Sequence, residues 1–134
     1  MKQVMIDTDI LSLFFRGNEK VKEHFEEYLN EFEMINISII TYYEILSGLK
    51  YRDSKKILTS FLEFAEQNKI ISLTLESIDI SSNIYSILRK QGNPLDDIDL
   101  LIAGIAISND MIFVTHNTKH FNRIENLIIA DWTL

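Results

Sequence analysis

Three acids stand immediately ahead of an apolar run: Asp96, Asp97 and Asp99 precede Leu100 to Ile107. Pro94 and the acids read as the start of a helix, because anions near the first turn meet unpaired N–H groups and the positive end of the dipole. Counting three and four residues on from Asp99 gives Ile102, Ala103, Ala106 and Ile107, so Asp99 continues an apolar stripe at its top. A carboxylate there is expensive to desolvate unless something neutralises it, and no Lys or Arg lies between Gln91 and Ile107. Asp7 ends the apolar run Val4–Ile6, Glu44 is expected in the first turn of a helix, and Asn117 follows a run ending at Thr115. Oxygen ligands without Cys or an obvious His pair favour a hard ion, Mg²⁺ or Mn²⁺. Such an ion suits phosphodiester hydrolysis. Each acid also has a plainer role. Asp96 can cap its helix while Asp97 and Asp99 favour the dipole, Asp7 can cap the helix after it, and Thr41 with Glu44 has the form of a capping box. Asn117 suits a turn, His24 the surface, and His116 and His120 a loop.

These residues need elements to bring them together. The sequence predicts strands at Val4–Ile6, Met34–Ser38, Ile70–Leu73, Met111–Thr115 and Ile128–Ala130. Between them come a short helix ending at Gly17 and helices over Glu19–Phe32, Thr41–Lys50, Ser54–Asn68 and Leu75–Gln91 (Ile80, Ile84, Ile87 and Leu88 inward), then the helix opened by Asp99. Strands alternating with helices through short connections imply an α/β fold with a parallel sheet in two or three layers. In such sheets ligands sit beyond the C-terminal strand ends, where Asp7, Glu44, Asp99 and Asn117 would converge.

At 134 residues with 46% apolar content, the chain is expected to be one domain over residues 1–134. No run approaches the length of a membrane span and no export signal is evident, which together with the lack of Cys fits a cytoplasmic protein. The net charge of −7 argues against a general nucleic-acid coat but not against an enzyme meeting RNA through ions and one basic patch.

Several stretches carry a family resemblance. Met5-Ile6-Asp7-Thr8-Asp9-Ile10-Leu11 resembles the opening motif of PIN-domain nucleases, and Tyr43-Glu44-Ile45-Leu46-Ser47-Gly48-Leu49 their second acidic motif. Asp99-Leu100-Leu101-Ile102-Ala103, and Val114-Thr115-His116-Asn117 with Phe121, are similar to the third and fourth. The match runs from Val4 to about Trp132 and is most similar to the VapC-type toxins of bacterial toxin–antitoxin pairs. The resemblance implies a three-layer PIN-like fold, Mg²⁺- or Mn²⁺-dependent endoribonuclease activity, a cognate antitoxin and a homodimer. It also implies that Asp7, Glu44 and Asp99 are the main acidic positions. The fourth motif departs: where relatives often carry an acid, this chain has Asn117 and His120, and Asp96 or Asp97 are the candidates to compensate.

Arg16, Lys50, Arg52, Lys55 and Lys56 follow the acid-bearing helices and are candidate RNA-phosphate contacts, against the plainer reading of a solvated loop. The breadth of Phe61, Leu62, Phe64 and Ala65 around the Ser54–Asn68 helix suggests an association surface. Two rivals remain from the sequence: a haloacid-dehalogenase-type phosphohydrolase with Asp7 as nucleophile, and a non-catalytic module that only binds a partner.

Overall fold

The run Val4–Ile6 forms strand β1. Strands β2 (Asn36–Ser38), β3 (Lys69–Ile71), β4 (Ile112–Val114) and β5 (Ile129–Ala130) join it in the order β3-β2-β1-β4-β5, with every pairing parallel. The structure is a computed structural model describing residues 2–134, so Met1 lies outside the described residues. Helices α1 (Thr8–Phe15), α2 (Glu19–Leu29), α3 (Ile39–Tyr51), α4 (Lys55–Gln67), α5 (Leu75–Lys90), α6 (Asp97–Ser108) and α7 (Thr118–Phe121) complete the described chain.

The layers follow from the two-residue period of β1. Val4 and Ile6 face a core with Ile10, Phe25 and Phe61, while Met5 faces the opposite core with Ile102, Ala106 and Phe113. A sheet covered on both faces explains strands that are apolar throughout. Among the described residues no helix is long and apolar enough to cross a membrane.

Several expected boundaries shift, each for a local reason. β2 begins at Asn36 because the N–H of Ile35 is taken by Asn68 Oδ1, at 2.8 Å. β3 ends at Ile71, and Thr74 then caps α5 with a reciprocal bond to Ser77. α2 ends at Leu29, since both Glu31 and Phe32 donate their N–H to Tyr28 O and the chain turns. α3 begins two residues before Thr41, with Ser38 as its cap: Ser38 Oγ accepts the Thr41 N–H at 3.0 Å. The capping box expected of Thr41 and Glu44 does not form, and Glu44 sits in the second turn, not the first.

Two apolar faces also differ from expectation. α5 turns Ser77, Ser81 and Leu88 inward, with Ile84 beside them, while Ile87 is exposed. The cause is Gly104 of α6. A Cβ there would stand 2.1 Å from Ser81 Oγ and 2.5 Å from Ser77 O, so only small residues fit across this contact. On α4, Phe61 is fully buried and Phe64 packs against Phe14 and Phe15, with ring centroids 6.3 and 5.5 Å away. Much of the breadth of that helix is therefore internal packing; Ile57 and Leu62 are what remain exposed.

Candidate active site

The C-terminal ends of the parallel strands lie along one edge, and the acids gather there. Asp7 follows β1 directly and caps α1. Its Oδ1 accepts the Thr8 N–H at 2.8 Å, and its Oδ2 accepts the Thr115 hydroxyl at 2.8 Å from just past β4. Only 7% of Asp7 is exposed. Burial pushes its carboxyl up to about 7, and the charges of Asp9 and Glu44 push the same way against the two hydrogen bonds. Asp7 is a carboxylate held ready for an anionic role yet partly protonated without a counterion.

Asp9, two residues on, is also raised by burial, although the N–H groups of Ile10 and His116 oppose this. The bond from His116 N–H to Asp9 Oδ2 is 3.1 Å. Glu44 reaches the edge from α3, where its Oε1 accepts the Thr8 hydroxyl at 2.6 Å. Asp99 opens α6, and burial raises its carboxyl too; the His120 ring opposes that shift, while Asp96 and Glu44 reinforce it. Glu44 thus acts electrostatically on both Asp7 and Asp99.

The fourth-motif residues form a chain ending on the same acid. Asn117 donates its N–H to Thr115 Oγ1 at 3.0 Å, and its side-chain amide meets His120 Nδ1 at 2.8 Å. His120 Nδ1 stands 3.7 Å from Asp99 Oδ2. The position that resembles a missing acid therefore presents an imidazole to Asp99. Asp96 occupies the cap of α6 without a side-chain cap bond, and its charge is felt at Asp99. Asp97 faces elsewhere, lining a recess with Ser82 and Tyr85.

Of the basic candidates, Arg16 and Arg52 line a groove of about 530 Å³ with Thr8, Ser12 and Glu44. Gly48 leaves room for the Arg52 guanidinium, 3.4 Å from where a Cβ would stand. Lys50, Lys55 and Lys56 are exposed and do not line it. Thr8 and Thr115 are not singled out by the sequence, and Asp9 enters there only as the acid of the haloacid-dehalogenase-type alternative, on the strength of its place two residues after Asp7 at a strand end. His116 and His120 are not idle loop residues, since each engages a carboxylate.

Among the described residues no three acidic or imidazole groups close on one point as a finished metal cage. The donor set still fits a hard divalent cation. Asp7, Asp9, Glu44 and Asp99 crowd one edge, and among the described residues no Lys or Arg pairs with any of them. An ion drawn into this edge would offset both the burial and the like charges that raise Asp7.

Comparisons with known proteins bear on the family and the fold. Residues 4–127 match the PIN domain family. The chain is 34% identical to "Ribonuclease VapC1" of Methanocaldococcus jannaschii over 92% of its own length and 82% of that protein's. It is 29% identical to the "tRNA(fMet)-specific endonuclease VapC" of Shigella flexneri, over 99% of this chain and all of the other. Among solved structures it is similar to VapBC2 from Rickettsia felis bound to a DNA fragment from its promoter, with a TM-score of 0.87 and 27% identity, covering 96% of this chain and 98% of that one. VapBC from Salmonella typhimurium, also DNA-bound, has a TM-score of 0.87 and 26% identity, covering 98% of this chain and 99% of the other.

Proposed function

Because this chain belongs to the PIN domain family, we propose that it is an endoribonuclease hydrolysing RNA phosphodiesters, the toxin of a toxin–antitoxin pair, working in the cytoplasm as a single domain over residues 1–134. The observation that carries the reading is a buried Asp7 raised to about 7 beside Asp9 and Glu44, with no cationic side chain against it among the described residues. Relatives named as ribonucleases and structures of toxin–antitoxin complexes support it.

Asp7, Glu44 and Asp99 are the residues that would hold Mg²⁺ or Mn²⁺, with Asn117 or Asp96 as lesser candidates. The bound ion would supply charge neutralisation at the phosphoryl oxygens and a lower pKa for the attacking water. The chain's own contribution is orientation. Thr8 N–H and the Thr115 hydroxyl fix both oxygens of Asp7, and the Thr8 hydroxyl fixes Glu44. Asn117 holds His120 beside Asp99. Arg16 and Arg52 offer the phosphates of the RNA chain a cationic wall.

The haloacid-dehalogenase-type rival leaves Glu44 without a role, whereas Glu44 is bonded to the residue next to Asp7. A cognate antitoxin and a homodimer belong to the same proposal, and sedimentation of the purified chain against concentration tests the second. The activity test is cleavage of RNA with Mg²⁺ or Mn²⁺ and its loss in EDTA, with 5′-phosphate and 3′-hydroxyl ends expected because water, not the ribose 2′-hydroxyl, attacks. Full activity in EDTA, or cyclic-phosphate ends, would overturn it.

A further inference from the structure

Beside the acidic edge a second recess opens at the end of β4 and β5. Asp9, His116, Asn117, Thr118, Lys119 and Asp131 line its volume of about 540 Å³, within the roughly 300–1,000 Å³ of small-ligand sites. Both of its flanks are tied to the acids. His116 N–H bonds Asp9 Oδ2, and Asn117 leads through His120 to Asp99. A polymer whose phosphodiester lies at the acids has its neighbouring unit within reach of this recess.

The His116 ring is held in one orientation and one tautomer. Its Nδ1 is 3.0 Å from Asp131 Oδ2 and 3.2 Å from Thr133 Oγ1. Thr133 directs both its N–H, at 2.9 Å, and its hydroxyl proton, at 2.7 Å, to Asp131 Oδ1. With that proton committed, Thr133 Oγ1 can only accept from Nδ1, so Nδ1 carries the hydrogen, and in its neutral form the ring offers Nε2 as an acceptor. Burial alone would raise Asp131, but the Thr133 bonds and the His116 ring outweigh it and hold the carboxyl below its usual range. The described residues provide no hydrogen-bond partner for Nε2, and the His116 side chain is 63% exposed. A clamp for the end of the chain would need only Asp131 and Thr133, which already bond each other. The ring adds an oriented acceptor next to a cation, Lys119.

We infer that this recess seats the ribonucleotide adjoining the phosphodiester that is cut, with its phosphate against Lys119 and its 2′-hydroxyl donating to His116 Nε2. The 2′-hydroxyl is the group by which a protein tells RNA from DNA at a given position, so His116, oriented by Asp131, becomes the sugar-discriminating residue. This rests on the endoribonuclease reading above.

The test uses a short synthetic RNA that the wild-type protein cleaves, with single 2′-deoxy substitutions walked across the cut. In wild type, one position beside the cut should lower kcat/KM roughly three- to tenfold, as expected for one neutral hydrogen bond. His116→Ala should lose about the same factor on the all-ribose RNA and show no further penalty from that deoxy position. Asp131→Asn should behave alike, because an amide NH₂ facing Nδ1 moves the ring hydrogen to Nε2 and removes the acceptor. Lys119→Ala should weaken every substrate while keeping the deoxy penalty. If His116→Ala retains the full penalty, or no position shows one in wild type, the inference is wrong. Wild-type protein that cuts no RNA with either metal ion overturns the endoribonuclease reading itself, a distinct outcome.

Discussion

Asp7 concentrates the conflict on which the site depends, being buried, hydrogen-bonded on both oxygens and crowded by like charge. Its folded pKa of about 7 lies above the ordinary 3.8. Ionising it therefore opposes folding, and the stability it allows at low pH is lost as the pH rises from about 4 through 7. In EDTA, Asp7→Asn should accordingly melt above wild type, by a margin that widens between pH 5 and pH 8, while RNA cleavage is abolished; a constant margin would show that Asp7 does not titrate in that window. Asp99→Asn should lower cleavage by roughly 10²–10³-fold and blunt the Mg²⁺-induced rise in melting temperature, leaving the EDTA melt unchanged or higher. A variant less stable in EDTA with an undiminished Mg²⁺ response would make Asp99 merely a helix-start acid, worth about 0.3–1 kcal/mol. Asp7 and Asp99 were legible in sequence because an acid at a strand end, or atop an apolar stripe, is out of place, while Glu44 reads there as half of a capping box and only the family resemblance singles it out. The His116–Asp131 pair was not, since neither residue is unusual alone and the register of β4 against β5 brings them together.

At the scale of elements, α5 and α6 approach closely at Gly104. Gly104→Ala would drive a Cβ onto Ser81 Oγ and the backbone carbonyl of Ser77. The helices must separate, with an expected loss of about 1–3 kcal/mol in a urea titration. Adding Ser81→Ala should restore only part of it, because the Ser77 carbonyl cannot be trimmed; full recovery would place the clash on the Ser81 hydroxyl alone. Period and apolar content were enough to read the alternating order of strands and helices. They placed Ile84 and Leu88 of α5 inward correctly but wrongly added Ile87 and missed Ser77 and Ser81, because small residues at a close crossing carry no hydrophobic signal. They also read the Phe64 side of α4 as surplus surface, because its tilted and edge-to-face ring contacts with Phe14 and Phe15 on α1 are invisible in a single helix's pattern. Glu44 moved one turn along α3 for a similar reason: Ser38, not Thr41, takes the cap.

For the whole molecule, a net charge of −7 makes RNA binding depend on a few cations against an unfavourable field. With three phosphate contacts, from Arg16, Arg52 and Lys119, the slope of log K against log salt should be only about −2.1, and changing each to Ala should flatten it by about 0.7. A slope several times steeper would call for cations elsewhere on the surface. The parallel sheet has one more consequence, which concerns time. β1 precedes the other four strands in the chain yet is the middle strand of the finished sheet, and Asp7 depends on Thr115, which lies 108 residues later. Pairing so distant is slow to form. On the ribosome, the first acid emerges long before the strand that orients it, and β4 in turn awaits β5 and the residues that clamp His116. A chain extended only as far as β3 therefore lacks the bond that orients Asp7, and one that stops before β5 lacks the bonds that orient His116, so the site is assembled only once these distant segments have met.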